Sequence, residues 1–195
     1  MSDRIRVKSV ETLSKRWGTL TSTELDYHRR DGRWDAQSRE IYDHGHGAAI
    51  IPYDSARGTV LLVRQFRYTL HMLGDDGDII EACAGLLDAD DPEGCIRREA
   101  MEEMGVKLRD IELLYTAYAS PGSLTERISF FAGEYVPADR VAAGGGHEGE
   151  GEDIEILEWT LDEALAAIRD GRIVDMKTIL LLQQLELRRI AKHSG

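Results

Sequence analysis

Three glutamates, Glu99, Glu102 and Glu103, lie within five consecutive residues of this chain. On a helix, with about 100° between successive residues, their side chains occupy roughly one third of the circumference. Like charges three or four residues apart destabilise a helix, and a hard divalent cation held by the carboxylate oxygens removes that repulsion. Arg98 lies four residues before Glu102 and is placed to pair with it. The spacing therefore predicts a helix face that binds Mg²⁺, with Mn²⁺ as an alternative ion.

The ends of this helix are marked by residues with specific backbone preferences. Asp91 is suited to the N-cap, Pro92 to the first helical position, and Gly105 to a left-handed C-cap. The flank opposite the carboxylates is apolar and is expected to face the core through Ile96, Ala100, Met101 and Met104. Upstream, Gly85 permits a close turn that leaves the carbonyl of Ala84 free as a further oxygen ligand.

Together these residues resemble the Nudix box of pyrophosphohydrolases, which cleave nucleoside diphosphates linked to another group. The matching positions are Gly85, Arg98-Glu99, Glu102-Glu103 and Gly105-Val106. The segment from Gly85 to Arg98 is one residue shorter than in the usual box, and Asp90 or Asp91 stands where a glutamate is usual. The shortened form, with CAGLLD before the helix, resembles the GDP-mannose pyrophosphatase branch, which is close to the ADP-ribose pyrophosphatases.

This resemblance implies a metal site formed by the Ala84 carbonyl, Glu99, Glu103 and Glu152. Glu150 competes with Glu152 for the last position, because both lie in the glycine-rich segment AAGGGHEGEGED. That segment is either a solvated loop or a lid that brings a carboxylate to the metal. His147 in the same segment is expected to be exposed.

The catalytic residues implied by the resemblance are Glu126 as general base, with Glu102 and Arg98 assisting at the metal helix. The implied substrate-binding set is Trp17, Arg39, Glu40, Arg67, Gly85, Leu86, Glu126 and Lys177. Alternatives remain for several of them. Arg39 and Glu40 suit a solvated strand pair, Trp17 suits dimer packing, and Arg67 suits a surface loop.

The composition limits the partners of the chain. It has 195 residues, a formal net charge of −12 and a sequence pI near 4.9, which argues against a nucleic-acid surface. Its two cysteines lack metal-binding spacing. No apolar run approaches the ~20 residues of a membrane span, and the first residues lack the apolar core of a signal peptide. We therefore expect a cytoplasmic protein with no membrane partner.

The pattern of elements predicts an α+β protein, and the resemblance specifies the Nudix fold, an α/β/α sandwich with a mixed central sheet. An N-terminal hairpin turns at Asp31-Gly32, and the pattern around Ile5 is only weakly strand-like. The hairpin is too small to bury a core alone, so it packs on its own domain or on another copy. By resemblance we expect a homodimer through these strands, with residues 1–44 as a dimerisation subdomain and 45–195 as the hydrolase domain.

The expected activity is Mg²⁺-dependent hydrolysis of a nucleotide sugar, with GDP-mannose giving GMP and mannose 1-phosphate. One alternative is hydrolysis of ADP-ribose to AMP and ribose 5-phosphate. The other is a Nudix-fold sensor that binds a nucleotide without cleaving it, although such proteins usually lose the box carboxylates that this chain retains.

Overall fold

The computed structural model describes residues 3–87, 91–147, 149 and 151–193, with the side chain of residue 193 excepted. The chain divides into two compact units. The first contains Met1–His46 and Ala117–Ile128, and the second contains Gly47–Thr116 and Ser129–Gly195. None of the helices in the described part of the chain has both the length and the apolar character needed to cross a membrane.

The first unit contains a three-stranded antiparallel sheet in the order β1-β2-β3, where β1 is Ile5–Lys15, β2 is Thr19–His28 and β3 is Trp34–Asp43. The predicted turn at Asp31-Gly32 is confirmed, with Gly32 at a φ of 86°. The sequence around Ile5 predicted a strand only weakly, whereas β1 runs for 11 residues and is exposed throughout. Ile5 and Val7 alternate with charged residues, but register shifts between Val7 and Ser9 and between Thr12 and Ser14 interrupt the alternation, so the pattern is weak.

The second unit supplies most of a mixed seven-stranded sheet. The strands are β4 (Gly47–Asp54), β5 (Thr59–Phe66), β6 (Asp78–Glu81), β7 (Cys83–Leu86), β8 (Ile111–Tyr118), β9 (Arg127–Glu134) and β10 (Glu155–Thr160). They are ordered β10-β5-β4-β9-β8, with β6 paired to β5 and β7 paired to β4. The helices are α1 (Tyr68–Met72), α2 (Pro92–Met104), α3 (Leu161–Arg169) and α4 (Met176–His193).

Helix α2 begins and ends as its sequence predicts. The Asp91 carboxylate accepts hydrogen bonds from the backbone N–H groups of Glu93, at 3.1 Å, and Gly94, at 3.0 Å. Gly105 adopts the left-handed C-cap conformation, with a φ of 66°. Asp90, the alternative acidic residue, lies outside the described residues. These local signals suffice because capping depends on the residues next to the helix end.

The apolar flank of α2 packs into the core of the second unit. Ile96, Ala100 and Met104 are fully buried in a cluster that includes side chains from β4 and β5. The prediction that Met101 faces the core is wrong in degree, because Met101 is only half-buried. Its position, about 100° around the helix from Ala100, places it at the edge of the apolar flank.

Replacing Ile96 with alanine is expected to destabilise the fold by about 2–5 kcal/mol, because a fully buried side chain leaves a cavity that the surrounding core does not refill. Urea denaturation followed by circular dichroism measures this loss. The matched control is Leu187→Ala on α4, where an exposed aliphatic side chain is truncated at a cost of less than about 0.5 kcal/mol. Equal losses for the two variants would contradict the packing of α2.

Candidate metal and substrate site

Glu103 lies in the last turn of α2 and is only 1% exposed. Its Oε2 atom has no hydrogen-bond partner among the described residues. Burial chiefly, together with the nearby carboxylates of Glu99 and Glu152, raises the pKa of Glu103 to about 8, against opposing contributions from Cys83 and Arg67. A buried acid with an oxygen that lacks a partner is costly, so this position favours a bound cation.

The Glu99 carboxylate lies against β7, and its position depends on the glycine there. A Cβ atom at Gly85 would collide with the Glu99 carboxylate. Gly85 therefore leaves the space that Glu99 fills. Ala84 and Leu86 are half-buried on the same strand, and Ala84 pairs with Ala49 of β4. The structure thus brings together β7 and the carboxylate face of α2.

The predicted pairing of Arg98 with Glu102 is present. Arg98 Nη1 lies 3.0 Å from Glu102 Oε2 and 3.0 Å from Glu99 Oε1. The guanidinium therefore links two of the three box carboxylates and reduces their repulsion. Glu102 is the more exposed of those two, with 37% side-chain exposure against 13% for Glu99.

The first part of the glycine-rich segment is bound to α2. Gly144, Gly145 and Gly146 have φ angles of 68°, 108° and 85°. The N–H of Gly145 donates to the Glu103 carbonyl at 2.8 Å, and the N–H of Gly146 donates to the Glu102 carbonyl at 3.1 Å. Helix C-termini leave such carbonyls without partners, and backbone with positive φ favours glycine. These glycines therefore cap the C-terminal end of α2 in addition to forming a loop.

Glu152 follows this cap and belongs electrostatically to the box, because its charge acts on the pKa of Glu103. Its Oε2 atom accepts a hydrogen bond from the backbone N–H of His147 at 2.9 Å. His147 is exposed, as expected, and its Nδ1 accepts from Gly149. Glu150, the competitor of Glu152, lies outside the described residues.

The chemistry of these groups fits a divalent ion. Within the described ranges, no three His, Cys, Asp or Glu side chains form a ready-made ligand cluster. The unpaired Oε2 atom of Glu103, with Glu99 and Glu152 acting on the same carboxylate, nevertheless provides oxygen donors whose mutual repulsion an ion relieves. A metal would therefore complete the site by drawing carboxylates together.

Two cations meet at a buried carboxylate beside this site. Arg67 Nε lies 2.7 Å from Glu81 Oε2, and Lys177 Nζ lies 3.2 Å from Glu81 Oε1. Burial lowers the pKa of Lys177, but the carboxylates of Asp175 and Glu81 outweigh it, so that the net shift is upward. The structure thus brings the two predicted phosphate-binding cations together.

The predicted site residues of the first unit are spread along its sheet. Trp17 lies in the β1–β2 turn, is 71% exposed and stacks on His44 with ring centroids 5.1 Å apart. Arg39 and Glu40 are both exposed neighbours on β3. Arg39 donates to the Ser38 carbonyl and to Gln37. Successive strand residues point to opposite faces, so Arg39 and Glu40 do not share a face of this sheet.

Glu126 lies in a segment that is attached to the end of β3 within the first unit. The N–H of Tyr42 donates to the Ser123 carbonyl at 2.8 Å, and the Thr125 hydroxyl donates to Asp43 at 2.8 Å. Glu126 Oε2 is 3.8 Å from His44 Nε2, beyond hydrogen-bonding distance. The candidate base is therefore held on an ordered segment.

Sequence reasoning assigned no role to Glu81 or His44, and the structure places both beside predicted site residues. Glu81 contacts Arg67 and Lys177, and His44 lies between Trp17 and Glu126. A carboxylate inside the apolar strand pattern DIIEACAG was the one available signal for Glu81. His44 gave none, since a histidine between Asp43 and Gly45 resembles an ordinary loop residue.

Family comparisons identify the class to which this arrangement belongs. The family model of the NUDIX domain matches residues 43–182, and the model described as the GDP-mannose pyrophosphatase NudK N-terminal domain matches residues 4–42. The chain belongs to the Nudix family, whose enzymes generally use divalent metal ions. It is a Nudix pyrophosphatase by class.

Curated relatives of nearly the same length carry the name GDP-mannose pyrophosphatase. The protein from Pectobacterium atrosepticum is 48% identical over 96% of this chain and 97% of its own length. That from Cronobacter sakazakii is 45% identical over 97% of this chain and 99% of its own. Among solved structures, one titled "Crystal structure of ADP compounds hydrolase" has a TM-score of 0.73 and 18% identity, covering 99% of this chain and 97% of that one. It shares the fold, which confirms the predicted architecture.

Replacing Glu103 with glutamine is expected to stabilise the metal-free protein and to abolish stabilisation by Mg²⁺. Near neutral pH the buried Glu103 carboxyl must take up a proton, because its pKa is raised to about 8, whereas the amide is neutral without one. This difference should raise the melting temperature in EDTA by about 2–8 °C, or ~1–2 kcal/mol. The substitution also removes the ligand that an ion would bind, so kcat should fall by several orders of magnitude. Differential scanning calorimetry with EDTA and with MgCl₂ measures both stability effects.

The control for this variant is Glu102→Gln, at a partly exposed carboxylate on the same helix. It should leave the stability in EDTA nearly unchanged. If Glu103→Gln retained the full Mg²⁺-dependent rise in melting temperature, its assignment as a metal ligand would be wrong.

Proposed function

We propose that this protein hydrolyses the diphosphate of GDP-mannose, giving GMP and mannose 1-phosphate. The observation that carries the proposal is the combination of nearly full-length relatives named GDP-mannose pyrophosphatase with the retained carboxylates Glu99, Glu102 and Glu103 on α2. A sensor that binds without cleaving has no need of a buried Glu103 whose Oε2 atom lacks a hydrogen-bond partner among the described residues, so a catalytic role is the more economical interpretation.

We propose Mg²⁺ as the ion, with Mn²⁺ able to replace it, because every candidate ligand is an oxygen. Glu99, Glu103, Glu152 and the Ala84 carbonyl are the ligands, and Glu102, oriented by Arg98, is available for a second ion. The ion supplies charge neutralisation at the phosphoryl oxygens. The burial of Glu103 and the packing of Glu99 against Gly85 support this assignment, since both carboxylates are held before an ion arrives.

Glu126 is the proposed general base, which takes a proton from the attacking water. Its segment is hydrogen-bonded to β3, and a base held on an ordered element can keep the short distance that proton transfer needs. Proton transfer to a positioned carboxylate contributes about 10²–10⁴ to a rate.

The substrate contacts are assigned by group. Arg67 and Lys177 hold the phosphates, because a guanidinium fork and an ammonium match their oxygens. Gly85 and Leu86 border the metal site on β7. Trp17 offers an exposed aromatic face for a base or sugar, and Arg39, Glu40 and Glu126 supply polar contacts.

We propose a homodimer formed through residues 1–44, with residues 45–195 as the hydrolase domain. The support is the exposure of β1, which carries four large apolar side chains in contact with water: Ile5, Val7, Val10 and Leu13. A second copy covering this strand removes that apolar surface from water. We also place the protein in the cytoplasm, since Cys83 and Cys95 are free buried thiols.

Purified protein with Mg²⁺ is expected to convert GDP-mannose to GMP and mannose 1-phosphate, with kcat/KM at least tenfold above that for ADP-ribose. Steady-state assays with product identification by chromatography test this, and hydrolysis in ¹⁸O-labelled water identifies the phosphorus that is attacked. A large excess of kcat/KM for ADP-ribose would reject the substrate, and nucleotide binding without any product would reject the activity.

Replacing Glu126 with glutamine is expected to reduce kcat by about 10²–10⁴ while leaving the Mg²⁺ concentration dependence unchanged, because the amide cannot accept the proton but no metal ligand is lost. Rapid-quench kinetics at saturating substrate measure the chemical step. Glu24→Gln, at an exposed carboxylate on β2 of the same unit, is the control and should retain the wild-type rate. A weakened response to Mg²⁺ in Glu126→Gln would instead place Glu126 among the ligands.

A further inference from the structure

Glu81 is a buried carboxylate at the end of β6, with 6% side-chain exposure. Its neighbours Ala82 and Cys83 are apolar and fully buried. A carboxylate in such surroundings is charged only if cations compensate it. Arg67 and Lys177 do so, one at each carboxylate oxygen. The Glu81 side chain therefore connects Arg67, at the end of β5, with Lys177, at the start of α4.

Arg67 uses only its Nε atom in this pair. Within the described residues, its two terminal nitrogens donate no hydrogen bond, and the side chain is 43% exposed. The contact with Glu81 fixes the base of the guanidinium group and leaves the terminal fork directed away from the carboxylate. That fork is the part that matches two phosphate oxygens.

Lys177 is held in place by the first turn of α4. Its Nζ lies 2.7 Å from Asp175 as well as 3.2 Å from Glu81. Asp175 in turn accepts from Thr178, whose hydroxyl oxygen accepts from the N–H of Ala82 at 2.6 Å. The residue after Glu81 is thus tied through the Thr178 side chain to the same helical turn as Lys177, so β6 and the start of α4 are held together where Glu81 meets Lys177.

We infer that Glu81 is a positioning residue that sets Arg67 and Lys177 as one clamp for the diphosphate bridge of the substrate. The inference rests on the proposed function for the identity of the substrate, and extends it by assigning substrate affinity to a buried residue that does not touch substrate. Removing Glu81 leaves both cations in the protein and removes what holds them at a fixed separation.

Positioning and net charge predict opposite effects of Glu81→Gln. The loss of a negative charge raises the local positive potential and on that account strengthens the binding of an anion. A glutamine, however, has a single acceptor oxygen and an N–H₂ group that opposes a second cation, so it cannot hold both partners. The Arg67 side chain is 43% exposed, so solvent partly screens the charge effect, and a released arginine regains many rotamers. Positioning therefore dominates, and binding weakens.

The test compares the wild type with Glu81→Gln, Glu81→Asp and the control Glu155→Gln, which breaks the exposed ion pair between Arg64 and Glu155. The binding probes are the non-hydrolysable methylene-bridged diphosphates of guanosine and adenosine with Mg²⁺, measured by calorimetry. Steady-state hydrolysis of GDP-mannose supplies KM and kcat.

Glu81→Gln is expected to raise both KM and the Kd of the tighter-binding probe at least tenfold, while kcat changes less than about threefold. Glu81→Asp keeps the charge and should recover part of the affinity, and Glu155→Gln should match the wild type. In an Arg67→Gln background, Glu81→Gln should raise the Kd of the probe by a smaller factor than it does in the wild type, because the clamp is already broken.

Unchanged or tighter probe binding in Glu81→Gln, a loss confined to kcat, or independent effects of Glu81 and Arg67 would overturn the inference. A failure of the wild type to bind either probe would also overturn it. If Glu81→Gln does not fold, the Glu81→Asp variant decides the question, and wild-type affinity of that variant for the probe would overturn the inference. A wild type that binds the guanosine probe but releases no GMP would overturn the proposed function alone.

Discussion

The site depends on a carboxylate that the fold buries without a cation. Helix α2 is fixed by Ile96 and Met104 in the core and capped at its end by the N–H groups of Gly145 and Gly146, so Glu103 cannot turn outward to water. Desolvation of a charged carboxylate is expensive, and burial raises the pKa of Glu103 to about 8. In the metal-free protein Glu103 is therefore mostly protonated near neutral pH, and a bound ion would replace that proton.

Glu81 and Glu103 are both buried carboxyl groups, and the cost of their burial is offset in two different ways. Glu81 is neutralised within the described chain by Arg67 and Lys177, whereas Glu103 has an oxygen without a described partner. The chain has a net charge of −12, so an anionic substrate needs local cations to bind. In the proposed site, the pair Arg67 and Lys177 and an ion held by the carboxylates would supply them.

Local signals in the sequence predicted the ends and the ion pairing of helix α2 well. Asp91, Pro92 and Gly105 act on the backbone beside them, so its ends followed from the sequence, and the pairing of Arg98 with Glu102 followed from a four-residue spacing. The half-buried position of Met101 was missed because it lies where the apolar and polar flanks meet. The cap formed by Gly144–Gly146 was read only as a loop or lid, since the helix end it binds is distant in sequence. The joining of Glu81 to Lys177, 96 residues apart, has no local signal at all.

The central claim of the proposal is that the Glu103 carboxylate is a ligand of a divalent ion. Crystals soaked in Mn²⁺ test it directly, because an anomalous difference map locates the ion without reference to activity. The account predicts a peak at about 2.1–2.2 Å from Glu103 Oε2 that is shared with the Glu99 carboxylate. An ion bound elsewhere, with Glu103 still buried and unpaired at full Mn²⁺ occupancy, would contradict it.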